Sequence, residues 1–281
     1  MVRDVYEPDT TVTIDAADGS ITLAVDDRGA GDATPLVLIH GFTGGRIDFM
    51  DVIDDLAADR RVVVWDHRGH SDSTNTGDAA AYTFDRLTAD ALAAVDALGL
   101  ERFHLLGHSM GGVVAQQFVL AHPERVASLL LMDTLAEPGS VIPQECIDKV
   151  VGIGRAKGMA AVAELMRAAS PPSVALEADR PRILDRNAYK LGHMDVEAFG
   201  ALATELRTFE PLLPRLGAIA CPTTVLVGEL DVPLRDQADR IAAAIDGARL
   251  DVIAGAANCP QEERRDAWLA AVRRHLADHD G

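Results

Sequence analysis

Phe103-His104-Leu105-Leu106-Gly107-His108-Ser109-Met110-Gly111-Gly112-Val113-Val114 is the stretch on which the fold reading turns. Residues 103–106 have strand character and run into Gly107-x-Ser109-x-Gly111. A helical pattern over 110–121 follows at once and stops at His122-Pro123, because proline disfavours helical geometry in the residue before it. G-x-S-x-G between a strand and a helix is the pattern of a nucleophile elbow. The tight turn forces unusual backbone angles on the serine, so its neighbours must be small. Ser109 Oγ is thereby projected at the C-terminal edge of the sheet, where the helix N-terminus favours developing negative charge. An ordinary glycine-rich strand-to-helix turn is the plainer alternative; pattern and context together favour the elbow.

Working outward, short β-rich runs alternate with helical patterns, which predicts an α/β fold with a mostly parallel sheet of about eight strands covered by helices. Residues 10–14 and 21–26, separated by Asp18-Gly19, read as an antiparallel hairpin. Runs 36–40 and 62–65 are continuously apolar, as for central strands buried on both faces. Runs 103–106, 126–132, 223–227 and 250–253 complete the set, and 84–98 carries apolar residues at helical spacing. The alternation breaks after Asp133. Residues 134–214 show no convincing strand, and helical pieces at 158–169 and 196–209 are split by Pro171-Pro172 and Pro181. The expected organisation is a core of residues 1–133 and 215–281 with a helical insertion at 134–214.

The 281 residues include 44 acidic and 26 basic side chains, a net charge of −18. Such a surface repels phosphate, so neither nucleic acid nor anionic lipid is an expected partner. Apolar residues make up 48% and charged residues 25%, the proportions of a globular protein. Cys146, Cys221 and Cys259 are too few and scattered for a disulfide framework or a cysteine zinc site. The polar, acidic start lacks a signal-peptide pattern, and no apolar run approaches the roughly 20 residues of a membrane span. A cytoplasmic protein, monomer or homodimer, is expected. No metal-ligand spacing, phosphate loop or dinucleotide loop is found, so no cofactor is expected.

Two further motifs complement the elbow. His40-Gly41-Phe42-Thr43-Gly44-Gly45 follows the run 36–40. Acyl transfer needs two preorganised N–H donors for the oxyanion; Met110 and Phe42 are the candidates, while His40 reads as structural. Val227-Gly228-Glu229-Leu230-Asp231-Val232-Pro233 ends the run 223–227. An acid there can orient a histidine, and Asp231 follows Ser109 in the chain order Ser…Asp…His, with Glu229 and Asp133 as competitors.

Together with Asp66-His67-Arg68-Gly69-His70-Ser71, these motifs resemble the α/β-hydrolase superfamily over nearly the whole chain. The likeness is to its serine-nucleophile branch with a helical cap, which holds bacterial esterases, enol-lactonases and C–C-bond hydrolases. Ser109 argues against the aspartate-nucleophile epoxide hydrolases and haloalkane dehalogenases. The resemblance implies hydrolysis of an ester or lactone, or of a C–C bond, in a small apolar molecule. It places Phe42, His108, Met110, Leu135, Met159, Met166 and Met194 around the substrate, beneath a cap carrying also Leu165, Leu191 and Phe199; the alternative, and the commoner fate of any one cap side chain, is to pack the cap helices together.

The resemblance breaks at one position. The family's catalytic histidine lies in a loop of the form A-G-x-x-H, and this chain reads Ala254-Gly255-Ala256-Ala257-Asn258. An amide has no basic lone pair near neutral pH, so Asn258 cannot take the Ser109 proton. Loss of a triad base costs roughly 10⁴–10⁶ in kcat. Three explanations compete: a working hydrolase deliberately inactivated at one position, a non-hydrolytic ligand-binding protein like the superfamily's hormone receptors, or a base recruited from elsewhere, with His70 and His193 as candidates. A lyase on the same scaffold is a close variant. Cys259 reads as a small buried side chain rather than a second nucleophile; His275 and His279 lie near the polar C-terminus.

Overall fold

A computed structural model describes residues 6–139, 142–169 and 180–280. Eight strands form one sheet: β1 (Thr10–Ala16), β2 (Gly19–Arg28), β3 (Ala33–Ile39), β4 (Arg60–Trp65), β5 (Phe103–His108), β6 (Val126–Met132), β7 (Thr223–Gly228) and β8 (Arg249–Ile253). Their order is β1-β2-β4-β3-β5-β6-β7-β8. β1 and β2 pair antiparallel and β2 meets β4 antiparallel; every later pairing is parallel. The hairpin turns at Asp18-Gly19, where Gly19 takes φ +126°, a region that L side chains resist.

Ten α-helices are described: α1 (Ile53–Leu56), α2 (Phe84–Ala97), α3 (Met110–Ala121), α4 (Gln144–Lys157), α5 (Met159–Ala169), α6 (Arg180–His193), α7 (Val196–Glu205), α8 (Val232–Ala244), α9 (Pro260–Glu263) and α10 (Arg265–His279). The apolar runs of the central strands divide by alternation between two faces. Val37, Ile39, Val63 and Leu105 face α2 and α3, whereas Leu36, Leu38, Val62 and Leu106 face α1 and α10 with Trp268. None of the described helices is long and apolar enough to cross a membrane.

Between β6 and β7 the described residues hold α4 to α7 and no strand. The Pro171-Pro172 break lies outside the described residues. The helix expected over 196–209 ends at Glu205; beyond it the chain turns so that Phe209 packs its ring on Phe84, centroids 5.6 Å apart. These helices are seated on the main apolar core rather than hung from it. Leu191, Met194, Phe199 and Leu202 belong to the same apolar cluster as α2 and α3, and Asp195 accepts from the Tyr82 hydroxyl and, at 2.7 Å, from Gly77 N. His275, near the polar C-terminus, lies in the interior. It is fully buried under the sheet, with Thr224 Oγ1 at 2.8 Å and Ser128 Oγ at 2.7 Å.

Candidate active site

Ser109 stands at the turn from β5 into α3 with φ +52° and ψ −118°, a strained pair for a side-chain-bearing residue. The surroundings fix it there. Ser109 N donates to Met132 O at 2.9 Å, and its carbonyl accepts from Thr134 Oγ1 at 2.6 Å and Gly112 N at 2.9 Å. The flanking glycines are required by space: a Cβ on Gly107 would stand 2.4 Å from Gly111 O, and one on Gly111 2.4 Å from His40 O. Ser109 Oγ has no hydrogen-bond partner among the described residues. The N–H groups of Phe42 and Met110 likewise donate to no acceptor among them.

The loop after β3 is held by a small imidazole cluster. His40 Nδ1 donates to Gly41 O at 2.8 Å and its Nε2 accepts from His67 N at 2.9 Å, which fixes its tautomer and occupies both nitrogens. His40 is therefore structural. His70 is buried 5.1 Å from His40, centroid to centroid. Burial lowers the His70 pKa to about 4, so it is neutral. His193 is exposed, its Nδ1 donating to Tyr189 O within α6. Neither His70 nor His193 lines a cavity that Ser109 lines.

At the end of β7, Asp231 caps α8 without bonding its backbone, which leaves the carboxylate free for another partner. That partner is Asn258: Nδ2 donates to Asp231 Oδ2 at 2.8 Å. Glu229 points outward and accepts from Gly255 N at 2.8 Å. Asp133, buried at φ +42°, accepts from Gly228 N at 2.8 Å through Oδ1. Burial, reinforced by the charge of Asp231, pushes its pKa up to about 9, so at neutral pH it is the protonated neighbour of Asp231.

Two cavities meet at Phe42, Ser109 and Asn258. One, of about 310 Å³, is apolar, with Leu135, Ile142, Leu206 and Leu234 on its walls beside Asp231. The other, of about 290 Å³, carries His108, Asp48, Lys190, Glu262 and Met166. Leu135 and Met166 thus line the cavities as the resemblance implies. Met159 and Met194 do not; both are buried in the main apolar cluster, 6% and 3% exposed, because the apolar faces of the inserted helices pack on the core. Met110 is fully buried as well and faces the site only through its backbone. Leu165 is solvent-exposed.

The charged wall of the second cavity was not foreseen. Lys190 Nζ bonds Asp48 Oδ1, with both side chains under a tenth exposed. Burial works against the ammonium, yet the Asp48 carboxylate, with Glu262, raises its pKa. Arg186, one turn earlier on α6, bonds Asp51 and Ile47 O at 3.0 Å and faces Glu262 at 3.1 Å. The only sequence trace was Asp48 standing alone between Ile47 and Phe49. Burial, then Glu262 and Asp48, raises the Cys259 thiol well above its ordinary value, so it is no ready nucleophile. No group of three or more metal-binding side chains occurs among the described residues.

Residues 34–160 match the family model for the alpha/beta hydrolase fold. Over 277 residues the chain is 31% identical to a 2-hydroxy-6-oxononadienedioate/2-hydroxy-6-oxononatrienedioate hydrolase of Paraburkholderia xenovorans, covering 95% of this chain and 94% of that one. It superposes on a thermophilic esterase from Thermogutta terrifontis with a TM-score of 0.84 at 28% identity, over 97% of this chain and all of that one. For the enol-lactonase of Burkholderia xenovorans the TM-score is 0.81 at 26% identity, over 95% of this chain and all of that one. An elbow serine on a parallel sheet, in a chain so closely shared with these enzymes, places this protein in the α/β-hydrolase family.

Proposed function

We propose that this chain is a serine-hydrolase scaffold for a carboxylic ester or lactone, or an activated C–C bond, whose triad base position is held by Asn258, so that substrate binds and turns over slowly. The observation that carries this reading is the 2.8 Å bond from Asn258 Nδ2 to Asp231 Oδ2 beside Ser109. An imidazole N–H would make the same bond in a working triad. Ser109 Oγ would attack the carbonyl, the Phe42 and Met110 amides would hold the oxyanion, and water would release the acyl group. The helices inserted between β6 and β7 serve in this reading as a cap that closes the cavities. The proton of Ser109 is the step left without a base.

Restoring the base tests the reading. Asn258→His should raise p-nitrophenyl ester hydrolysis by at least about 10⁴, the lower end of what triad bases contribute. Unchanged background turnover in a folded Asn258→His protein overturns it in favour of a ligand-binding protein on the same scaffold. The partnerless Ser109 hydroxyl is the observation on that second reading's side.

A further inference from the structure

His108 precedes the nucleophile and takes no part in the steps above. Its Nε2 lies 2.7 Å from the carbonyl oxygen of Asn258. A carbonyl only accepts, so Nε2 carries the hydrogen and Nδ1 the lone pair. Nδ1 is buried and has no hydrogen-bond partner, and the residue, 5% exposed, lines the charged cavity. A buried acceptor left unpaired is costly, which points to a donor supplied by whatever enters. Lys190 supplies the complement: one ammonium hydrogen goes to Asp48, no second acceptor for it occurs among the described residues, and the side chain borders the same cavity.

The charges around this space are already matched. Lys190 faces Asp48, Arg186 faces Glu262 and shares Asp51 with Arg182, and Arg167 at the rim is held by Asp185 at 2.8 Å. An anionic group entering here meets the carboxylates of Asp48 and Glu262; a cationic one meets Lys190. A neutral group that both donates and accepts suits the walls best, and a hydroxyl does both. We propose that the charged cavity is a subsite for an uncharged, hydroxyl-bearing arm of the substrate, its O–H donated to His108 Nδ1 and its oxygen accepting from Lys190 Nζ, while the apolar arm fills the cavity of Leu135, Leu206 and Leu234. The inference rests on the hydrolase reading only for the bond that joins the two arms.

Slow turnover allows equilibrium binding to be measured on the native chain by titration calorimetry. Four butyrate esters separate the possibilities: glyceryl, propyl, choline and lactate. Glyceryl butyrate should bind at least tenfold more tightly than the other three. His108→Leu should abolish that preference, bringing glyceryl and propyl butyrate to within about twofold of each other. Equal affinity for the glyceryl and propyl esters on the native chain, or preference for a charged ester, overturns the subsite without need of any variant. Asn258→His separates the two proposals: a persistent glyceryl preference with no hydrolysis of any ester upholds the subsite and sinks the hydrolase reading. Hydrolysis of all four esters with no such preference does the reverse.

Discussion

Two acidic couples border Ser109, and they handle buried charge in opposite ways. Asp48 is matched by the Lys190 ammonium, a full opposite charge. Asp231 has only the neutral amide of Asn258, with a second acid, Asp133, behind it. The first couple is a finished ion pair with nothing left to gain from a proton. The second is a carboxylate with no cation bonded to it among the described residues; on the proposed reading it would stabilise an imidazolium that forms as serine attacks. Asp133 is held protonated at neutral pH by burial first and by the charge of Asp231 second. The difference is that one buried acid meets a full opposite charge and the other only a neutral amide, the arrangement that the proposed loss of a base at position 258 would leave.

The sharpest way to break this comparison is a double-substitution cycle at the triad corner. With Asn258 in place there is no imidazolium to stabilise, so Asp231→Asn should change residual ester hydrolysis by less than about tenfold, roughly 1.4 kcal/mol. In the Asn258→His background the same change should cost on the order of 10⁴ in kcat. That non-additivity is the mark of residues acting as one unit. Equal losses in both backgrounds would mean that Asp231 serves some other base.

The second way probes the matched couple. Lys190→Met leaves Asp48 buried without its cation and should destabilise the fold by about 3–5 kcal/mol, read from urea unfolding. Adding Asp48→Asn removes the orphaned charge and should recover more than half of that loss. A loss below about 1 kcal/mol for Lys190→Met would show that the pair behaves like a surface ion pair, and the contrast between the couples would collapse.

What was legible in the sequence follows from the range of the interactions involved. The elbow, the strand ends and Asp231 are set by local chemistry: Gly107 and Gly111 by backbone crowding, the β3 and β4 runs by burial on both faces, and Asp231 by its place between β7 and a proline-opened helix. Asn258 was singled out by the sequence around it, Ala254-Gly255-Ala256-Ala257, and the structure sets its amide against Asp231. The Lys190–Asp48 couple was not, since its members lie 142 residues apart and neither stands in a motif. Met159 and Met194 show the same limit, since sequence leaves open whether they roof a pocket or pack the inserted helices. Apolar side chains on an inserted helix look alike in sequence whether they face a ligand or the core, and here the core takes them.

The smallest effect concerns the acid behind the triad corner. Asp133 has its pKa raised to about 9 by burial first and then by Asp231. An acid whose folded pKa lies above its unfolded value of about 3.9 binds its proton more tightly in the native state. Its contribution to stability is therefore full below about pH 4 and is lost progressively as pH rises toward about 9. Between pH 5 and pH 7 the linkage amounts to roughly 2.7 kcal/mol, close to two pH units at the limiting slope of about 1.4 kcal/mol per unit. Asp133→Asn keeps an oxygen for Gly228 N, which donates at 2.8 Å, and carries no titrating proton. The variant's urea-unfolding stability should accordingly be flatter across that window, and its advantage over the native chain should grow with pH. A difference profile that stays level would mean that Asp133 is ionised in the folded protein, two bare carboxylates sharing one corner. The comparison would then need a cation near Asp231. In the Asn258→His protein that cation appears only as Ser109 gives up its proton, so there the Asp133→Asn effect on stability should persist while its effect on kcat stays within about tenfold.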